Sequence, residues 1–280
     1  MTVNEIYQSG LKLLENNNIE NSKFEAQSLL QKAFSLDRVG FIIHKTDKAD
    51  ENCSHNFLNF IERRISGEPL QYILGEWSFM GFDFKVGRGV LIPRDDTEVV
   101  VNLCIDFLEN RTGKKTVDLC SGSGAIAVAL DKISGAKVTA VEIDETAFSY
   151  LETNVKENNS SVKPVMADAL EICETFADGE LDLIVSKPPY IKSADIETLQ
   201  KEVQLEPRLA LDGGEDGCDF YREIVSRWSR KLKKGGALAF ELGEGQADAV
   251  KALMTDKGFS DFKISLDFGG VQRAIIGTLL

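Results

Sequence analysis

Short strand-like runs alternate with helix-like segments along the chain after Gly113, and this alternation restricts the possible folds more than any other feature. Apolar, β-branched runs predict strands, and apolar residues at helical spacing predict helices between them. Such alternation is typical of an α/β protein with a mainly parallel, doubly wound sheet. The predicted strands are Thr116–Leu119, Lys137–Val141, Val162–Met166, Leu181–Val185 and Ala237–Glu241, followed by an antiparallel pair, Phe262–Leu266 and Arg273–Leu279. The predicted helices are Ala125–Ile133, Glu145–Asn158, Cys218–Leu232 and Glu244–Lys257.

Residues 1 to about 74 have a different pattern, with apolar side chains near helical spacing and polar breaks between them. Short helices are marginal alone, so we expect them to pack together as a small bundle. Residues able to cap these helices precede the apolar runs at Thr2, Asn4, Ser22 and Asp37.

The stretch Tyr72–Val90 is rich in aromatic and β-branched residues, and Gly81 offers a turn, so it predicts a β-hairpin. Pro93 ends this stretch, and Asp96 or Thr97 can cap a further helix. We therefore expect two domains: a helical domain over residues 1–74, and a second domain over residues 75–280 that holds the hairpin linker and the sheet.

The composition is that of an ordinary globular protein, since 43% of the 280 residues are hydrophobic and 28% are charged. No apolar run approaches the roughly 18 residues of a membrane span, and the first residues lack the basic and apolar regions of a signal peptide. The five cysteines are scattered without a C-x-x-C pair, which indicates no zinc site and favours a reducing cytoplasm. The net charge of −13 disfavours a nucleic-acid partner and suits a basic protein partner.

The segment Leu181–Tyr190 is the expected centre of the functional site. Its first residues are typical of a strand buried on both faces, and Pro188 and Pro189 must end that strand because they have no N–H to donate. Open α/β sheets place ligands at the carboxyl ends of their strands. This rigid turn holds its carbonyls and the Tyr190 ring in place before a ligand binds. Taken alone, however, the pattern favours a strand that simply ends in a stiff turn.

A glycine loop, Asp118–Ala125, joins the first predicted strand of the sheet to a helix. Gly122 and Gly124 allow the backbone to approach a ligand where a Cβ atom would collide. These glycines fit the dinucleotide-binding pattern with Ala in the last position, but the pattern alone is weak support for NAD. Asp118 would repel a pyrophosphate and would suit a ligand with an ammonium group.

Acidic residues also end the next two predicted strands. Glu142 is placed to accept hydrogen bonds from two ribose hydroxyls, whereas Asp144 is better explained as an N-cap of the following helix. Capping is the alternative for Glu142 as well. Asp168 lies next to Ala169, where an adenine edge fits, and a helix cap is nearly as good an explanation there.

The residues at successive strand ends, Asp118–Gly124, Glu142, Asp168 and the Pro-Pro-Tyr turn, together resemble class I S-adenosylmethionine-dependent methyltransferases. Further segments resemble one family in particular, which methylates the glutamine side-chain nitrogen of peptide chain release factors. These segments are Gly67–Gly75, Val90–Arg94, Thr97–Glu98, Glu206–Leu211 and Gly213–Gly217. The resemblance covers about the whole chain.

The resemblance implies a seven-stranded, Rossmann-like methyltransferase domain and a helical domain that recognises the release factor. It also implies S-adenosylmethionine as the cofactor, S-adenosylhomocysteine as its product, and no metal. Transfer would be an in-line displacement at the amide nitrogen, with positioning as the main catalytic contribution. The implied catalytic residues are Lys187, Pro188, Pro189 and Tyr190, and the implied cofactor-binding residues are Asp118, Cys120, Ser121, Gly122, Ser123, Gly124, Glu142, Asp168, Ala169 and Lys187.

The chain departs from the family at Lys187, where the family has Asn before Pro-Pro-Tyr. An amide nitrogen is a poor nucleophile, and an Asn carbonyl together with the Pro188 carbonyl would accept its two N–H bonds and orient it. A charged lysine has three donors and no acceptor, and its ammonium opposes binding of a sulfonium. We therefore expect impaired methyl transfer, unless the ammonium turns to Asp118 or Asp168 and the backbone alone holds the amide.

Three other functions fit parts of the pattern. An adenine-N6 nucleic-acid methyltransferase uses a similar turn for an exocyclic amine, but the net charge opposes it, and we expect Lys231, Lys233 and Lys234 to be a solvated helix end rather than a binding patch. A protein that binds the cofactor or the release factor without catalysis is favoured by Lys187 alone. An NAD dehydrogenase would leave Asp118 and the Pro-Pro-Tyr turn without a role.

Overall fold

The computed structural model describes all 280 residues. The chain folds into two compact units. The first unit comprises Met1–Glu76 and Gln200–Leu205, and the second comprises Trp77–Leu199 and Glu206–Leu280. In chain order the helices are α1 (Val3–Asn16), α2 (Ser22–Phe34), α3 (Arg38–His44), α4 (Glu51–Ile65), α5 (Leu70–Leu74), α6 (Glu98–Leu108), α7 (Ala125–Ser134), α8 (Glu145–Glu157), α9 (Lys201–Gln204), α10 (Asp219–Trp228) and α11 (Ala247–Asp256). The strands are β1 (Glu76–Phe79), β2 (Phe82–Lys85), β3 (Lys115–Leu119), β4 (Lys137–Glu142), β5 (Lys163–Met166), β6 (Leu181–Ser186), β7 (Leu232–Glu241), β8 (Phe259–Leu266) and β9 (Gln272–Leu279).

Side-chain caps begin three helices of the first unit. Thr2 caps α1 in a reciprocal capping box, and Asp37 and Asp50 accept backbone N–H bonds at the starts of α3 and α4. The prediction that Ser22 caps α2 is wrong, because its hydroxyl donates to the Ile19 carbonyl instead. The bundle closes over fully buried side chains of α1, α2 and α4, namely Leu14, Ala26, Leu29, Leu30, Phe57 and Ile61.

A buried ion-pair cluster explains why Gln200–Leu205 belongs to the first unit. The Arg64 guanidinium donates to Glu25 Oε2 at 2.5 Å and to Glu202 Oε1 at 2.5 Å. The Arg64 side chain is 5% exposed, so its charge needs these partners. No local sequence pattern indicates a contact between residues so far apart in the chain.

The hairpin begins later than the sequence predicts. Tyr72 lies in the short helix α5, which ends at Gly75 in the left-handed region with φ 74°. The strands β1 and β2 are joined by Met80 and Gly81, with φ values of 51° and 80°. Two consecutive residues with positive φ are typical of the turns whose twist suits a two-residue hairpin.

The second unit contains a seven-stranded sheet in the order β5-β4-β3-β6-β7-β9-β8. The first five of these strands are parallel, and β9 runs antiparallel to both of its neighbours. The predicted fold class is therefore confirmed. Alternate residues of β6 face opposite sides: Leu183 and Val185 pack with α6, α7 and α8, whereas Ile184 packs with α10 and α11.

Two details around the sheet differ from the predictions. Helix α10 ends at Trp228 and β7 begins at Leu232, so the lysine cluster is not a solvated helix end. Lys231 is 3% exposed and donates to the Phe176 carbonyl at 2.8 Å, while Lys233 and Lys234 lie in β7. Before α6, Asp95–Thr97 form a 3₁₀ turn, and neither of the predicted caps, Asp96 or Thr97, caps this helix through its side chain. No helix in the structure has the length and apolar character that a membrane crossing requires.

Candidate active site

A cavity of about 280 Å³ opens at the carboxyl ends of β3, β4, β5 and β6. This is the edge at which parallel sheets place their ligands, because the loops diverge there. The candidate residues that line the cavity are Cys120, Ser121, Gly122, Ser123, Glu142, Asp168, Ala169, Lys187 and Pro189. The candidates outside its lining are Asp118, Gly124, Pro188 and Tyr190.

The glycine loop turns sharply after β3. Cys120, Gly122 and Gly124 all have positive φ, at 61°, 55° and 82°. A Cβ atom on Gly124 would lie 2.4 Å from Leu151 Cδ1, whereas one on Gly122 would meet nothing within 4 Å. The two glycines therefore differ in role: Gly124 lets α7 pack against α8, and Gly122 leaves space on the side of the cavity.

Glu142 is held rigidly at the end of β4. Its Oε2 accepts from the Gly122 N–H at 2.8 Å, and its Oε1 accepts from the Ile143 and Asp144 N–H groups at 2.9 Å each. Asp144 caps α8, as the sequence indicates, by accepting from Thr146 and Ala147 at 2.9 Å. Glu142 lines the cavity, and its Oε2 keeps a lone pair for a ligand donor, whereas both lone pairs of Oε1 are taken by the Ile143 and Asp144 N–H groups.

Asp168 and Ala169 follow β5 on the same side of the sheet. Asp168 Oδ1 accepts from the Leu170 N–H at 2.7 Å, which closes a tight turn after the strand. The Ala169 carbonyl accepts from Trp228 Nε1 at 2.8 Å. Asp168 lines the cavity and shapes the local backbone, but the alternative that it caps a helix is wrong, because the next helical turn, Ile172–Thr175, begins without a side-chain cap.

Asp118 lies behind the loop and is fully buried. Neither carboxylate oxygen makes a hydrogen bond of normal geometry, although the Ser121 hydroxyl and the Ala127 N–H lie near enough to oppose part of the rise in its pKa. Burial raises the pKa of Asp118 to about 8, and the negative charge of Glu142 acts in the same direction. A buried carboxyl group without well-formed hydrogen bonds is costly for the fold, and it adds negative potential behind the cavity once ionised.

Lys187 lies in direct contact with Glu241 at the end of the neighbouring strand. The parallel register pairs Ser186 with Phe240, so the next residues of β6 and β7 emerge side by side. Lys187 Nζ contacts Glu241 Oε1, and the Tyr190 hydroxyl donates to the same oxygen at 3.1 Å. The expectation that the ammonium turns to Asp118 or Asp168 is therefore wrong.

The environment of this cluster shifts two pKa values. Burial lowers the pKa of Lys187, and the positive charges of Arg94 and Arg273 add to that effect. Burial opposes ionisation of Tyr190, but the adjacent Lys187 outweighs it and the pKa of Tyr190 is lowered. Glu241 was not named as a site residue from the sequence. It is the last residue of the predicted strand Ala237–Glu241, and the carboxyl end of a parallel strand is where a site residue is expected.

Glu206 connects two of the segments that resemble the family, Val90–Arg94 and Glu206–Leu211. Its side chain is 1% exposed; Oε2 accepts from the Ile92 N–H at 3.0 Å, and Oε1 contacts the Arg94 guanidinium. Burial raises the pKa of Glu206, and Arg94 opposes that shift. The residues after Glu206 that line the cavity are Pro207, Leu209 and Ala210, so this pairing fixes one wall.

Comparison with known proteins gives the class and then the family. A methyltransferase structure from Pyrococcus furiosus matches with a TM-score of 0.55 and 22% identity over 72% of this chain and 90% of that one. Together with the sheet order and the cavity, this defines a Rossmann-like methyltransferase fold. The family model described as PrmC N-terminal domain matches residues 5–75, and the one described as Methyltransferase small domain matches residues 94–215.

Two curated relatives are named release factor glutamine methyltransferase. The protein from Geobacter sulfurreducens is 40% identical over 263 residues, which cover 93% of this chain and 91% of the relative. The protein from Clostridium acetobutylicum is 34% identical over 281 residues, covering 99% and 98%. The chain belongs to the release factor glutamine methyltransferase family.

Proposed function

We propose that this chain binds S-adenosylmethionine in the cavity and that its methyl acceptor is a glutamine side-chain amide in a peptide chain release factor. The observation that carries the proposal is the meeting of Glu142, the glycine loop and the Lys187–Tyr190 turn around one cavity at the carboxyl edge of the sheet. Membership of the family supports the choice of acceptor. The acceptor protein and the chain would meet in the cytoplasm, where release factors act.

The residues around the cavity fit this cofactor. Three backbone N–H bonds hold Glu142 in place, and the free lone pair of its Oε2 would accept from a ribose hydroxyl. Asp168 and Ala169 would border the adenine, and Gly122 leaves room for the ligand to approach the loop. Burial keeps the Asp118 carboxyl group mostly protonated at pH 7 in the free protein, but a ligand carrying an ammonium and a sulfonium would favour its ionised form, and the resulting charge behind the loop would stabilise that ligand.

The Lys187–Tyr190 turn would hold the acceptor glutamine. The bound cofactor supplies an electrophilic methyl group. The Pro188 carbonyl would accept one N–H of the glutamine amide, and Tyr190 would pack against its side chain while its hydroxyl remains fixed by Glu241. Lys187 offers no acceptor for the second N–H, so the amide nitrogen is held less well and transfer is slow.

The helical unit would recognise the release factor. We place the functional boundary near residue 74, with residues 1–74 as the recognition domain and residues 75–280 as the hairpin and catalytic domain. The match of the N-terminal family model to residues 5–75 supports this division.

The test is methyl transfer from labelled S-adenosylmethionine to a purified release factor, with the native chain and its Lys187→Asn form side by side. Restoring an acceptor should raise transfer on the order of 100-fold, as expected for one well-placed hydrogen-bonding group. The exposed residue Lys192 provides a matched control, because Lys192→Asn changes the same charge outside the cavity.

The outcomes separate the alternatives. If both forms transfer equally, the account of Lys187 is wrong. If neither modifies the release factor but nucleic acid becomes labelled, the adenine-N6 methyltransferase replaces the proposal. If neither labels any acceptor but the cofactor binds, the chain is a binding protein without catalysis.

A further inference from the structure

Lys187, Glu241 and Tyr190 form a buried polar cluster beside the cavity. The Lys187 side chain is 12% exposed and that of Glu241 is 1% exposed. Glu241 Oε1 receives both the ammonium and the Tyr190 hydroxyl, whereas Oε2 is buried without a partner. Lys187 lines the cavity and Glu241 does not, so the contact with the Glu241 carboxylate places the Lys187 ammonium at the wall of the cavity.

The position of this ammonium matters because the proposed cofactor is a sulfonium cation. At an effective dielectric constant of about 20, two unit charges that are roughly 4 to 8 Å apart repel enough to weaken binding on the order of 30-fold to 1,000-fold. A carboxylate in contact with the ammonium cancels most of that repulsion, since the pair is nearly neutral at the distance of the ligand.

We propose that Glu241 is a positioning residue that holds the Lys187 ammonium at the cavity wall and thereby preserves binding of a positively charged cofactor. This proposal rests on the proposed function, because it takes S-adenosylmethionine as the ligand. It differs from a purely structural role in one measurable respect. Loss of a structural support weakens every ligand of the cavity alike, whereas loss of charge compensation weakens a sulfonium more than a neutral thioether.

The test compares the dissociation constants of S-adenosylmethionine and S-adenosylhomocysteine by calorimetry. The two ligands differ by one methyl group and one positive charge, so the ratio of their dissociation constants reports the charge felt at the sulfur. The four forms are the native chain, Glu241→Gln, Lys187→Met and the double variant. The exposed residue Glu244 provides a matched control, and Glu244→Gln should leave the ratio unchanged.

The expected shifts have opposite signs. At pH 6, Glu241→Gln leaves the Lys187 ammonium uncompensated. The dissociation constant of S-adenosylmethionine divided by that of S-adenosylhomocysteine should therefore rise by about tenfold or more. Lys187→Met leaves an uncompensated carboxylate and should lower the ratio severalfold. The double variant should return to within about twofold of the native value. Should Glu241→Gln fail to fold, the comparison of Lys187→Met with the double variant still tests the charge of Glu241.

A pH series adds an independent readout. Because burial lowers the pKa of Lys187, the ratio of Glu241→Gln divided by that of the native chain should decline from pH 6 to pH 9 as the ammonium loses its proton; ionisation of Asp118, whose pKa is raised to about 8, acts on both forms and is removed by this division. The other charged groups that act on Lys187 are Tyr190, Arg94, Arg273 and Glu206, and all four are unchanged in the variants.

Two results would overturn different claims. If Glu241→Gln weakens both ligands by the same factor at every pH, Glu241 only supports the wall and its positioning role is wrong. If neither ligand binds any form, including the native chain, the proposed function itself fails.

Discussion

Replacing Asp118 by Asn should stabilise the protein at neutral pH. Asp118 is fully buried, and neither of its oxygens makes a hydrogen bond of normal geometry. Burial raises its pKa from 3.8 to about 8, with a smaller rise from Glu142, and outweighs the Ser121 hydroxyl and the Ala127 N–H, which lower the pKa. As the pH rises, the Asp118 carboxyl group therefore loses its proton at a lower pH in the unfolded chain than in the folded chain. Between these two pKa values, folding requires either that the carboxylate bind a proton or that its charge be buried.

The sign and size of the effect follow from proton linkage. A carboxyl group whose pKa is raised on folding contributes its full stability below pH 3.8, and that stability is lost as the pH rises toward about 8. Across this window the free energy of unfolding falls by about 1.4 kcal/mol per pH unit. At pH 7 the accumulated cost is on the order of 4 kcal/mol, which Asp118→Asn removes because the amide stays neutral.

Urea unfolding of both forms between pH 4 and pH 8.5 measures this directly. Fluorescence is a suitable probe, because both tryptophans, Trp77 and Trp228, belong to the same unit as Asp118. The two forms should differ least near pH 4, where Asp118 is protonated in the folded chain and only partly ionised in the unfolded chain, and should diverge as the pH rises. A difference in unfolding free energy that does not change with pH would refute the reasoning.

Three further substitutions test Glu142, which lines the cavity, and two residues that support the segments around it. Gly124→Ala should cost about 3 kcal/mol of stability in thermal melting, because φ is 82° and the new Cβ would lie 2.4 Å from Leu151 Cδ1. Glu142→Gln should weaken binding of both cofactor forms about tenfold by calorimetry. The two carboxylate oxygens of Glu142 accept three backbone N–H bonds, and a glutamine has only one oxygen that can accept them. Arg94→Ala should cost about 3 kcal/mol in urea unfolding, because it leaves the buried Glu206 carboxylate without its cation.

Each of these predictions has a matched control. Gly135 also has positive φ, at 70°, but nothing lies within 4 Å of a Cβ there, so Gly135→Ala should cost only about 1 kcal/mol. Glu145 is exposed, and Glu145→Gln should leave cofactor binding unchanged. Arg208 forms an ion pair at the surface, so Arg208→Ala should cost under about 1 kcal/mol. If a control variant loses as much stability or cofactor affinity as its test variant, the explanation given for that test variant is wrong.

The parts of the fold that the sequence predicts are those set by local patterns. Apolar runs ended by prolines or glycines place β6 and α7 within a residue of their observed ends. The first five residues of β7 were missed, because Lys233, Lys234, Gly235 and Gly236 carry no strand pattern; Leu232 pairs with Leu181 of β6, and the register shifts before Ala237. The short helix α5 has too few residues for a helical period to be visible.

The contacts that sequence reasoning missed are long-range and polar. Glu202 joins the helical unit through Arg64, and Glu206 joins Ile92 and Arg94, although each partner is more than 100 residues away. Glu241 was visible as a strand end, but nothing in a single sequence states which charged side chain faces which. Charge pairing depends on sheet order and register, and these become available only with the three-dimensional structure.

The charges around the cavity separate cofactor binding from methyl transfer in this chain. The groups proposed to favour a cationic cofactor, Glu142 and Asp118, belong to β4 and β3, which lie on the opposite side of β6 from Glu241 of β7. Because that contact neutralises Lys187, the lysine need not prevent cofactor binding, yet it still supplies no acceptor for the substrate amide. We therefore expect native affinity for S-adenosylhomocysteine and S-adenosylmethionine to be close to that of the Lys187→Asn form, while the rate of transfer to the release factor differs on the order of 100-fold. Similar loss of both binding and transfer would show that the ammonium reaches the cofactor after all.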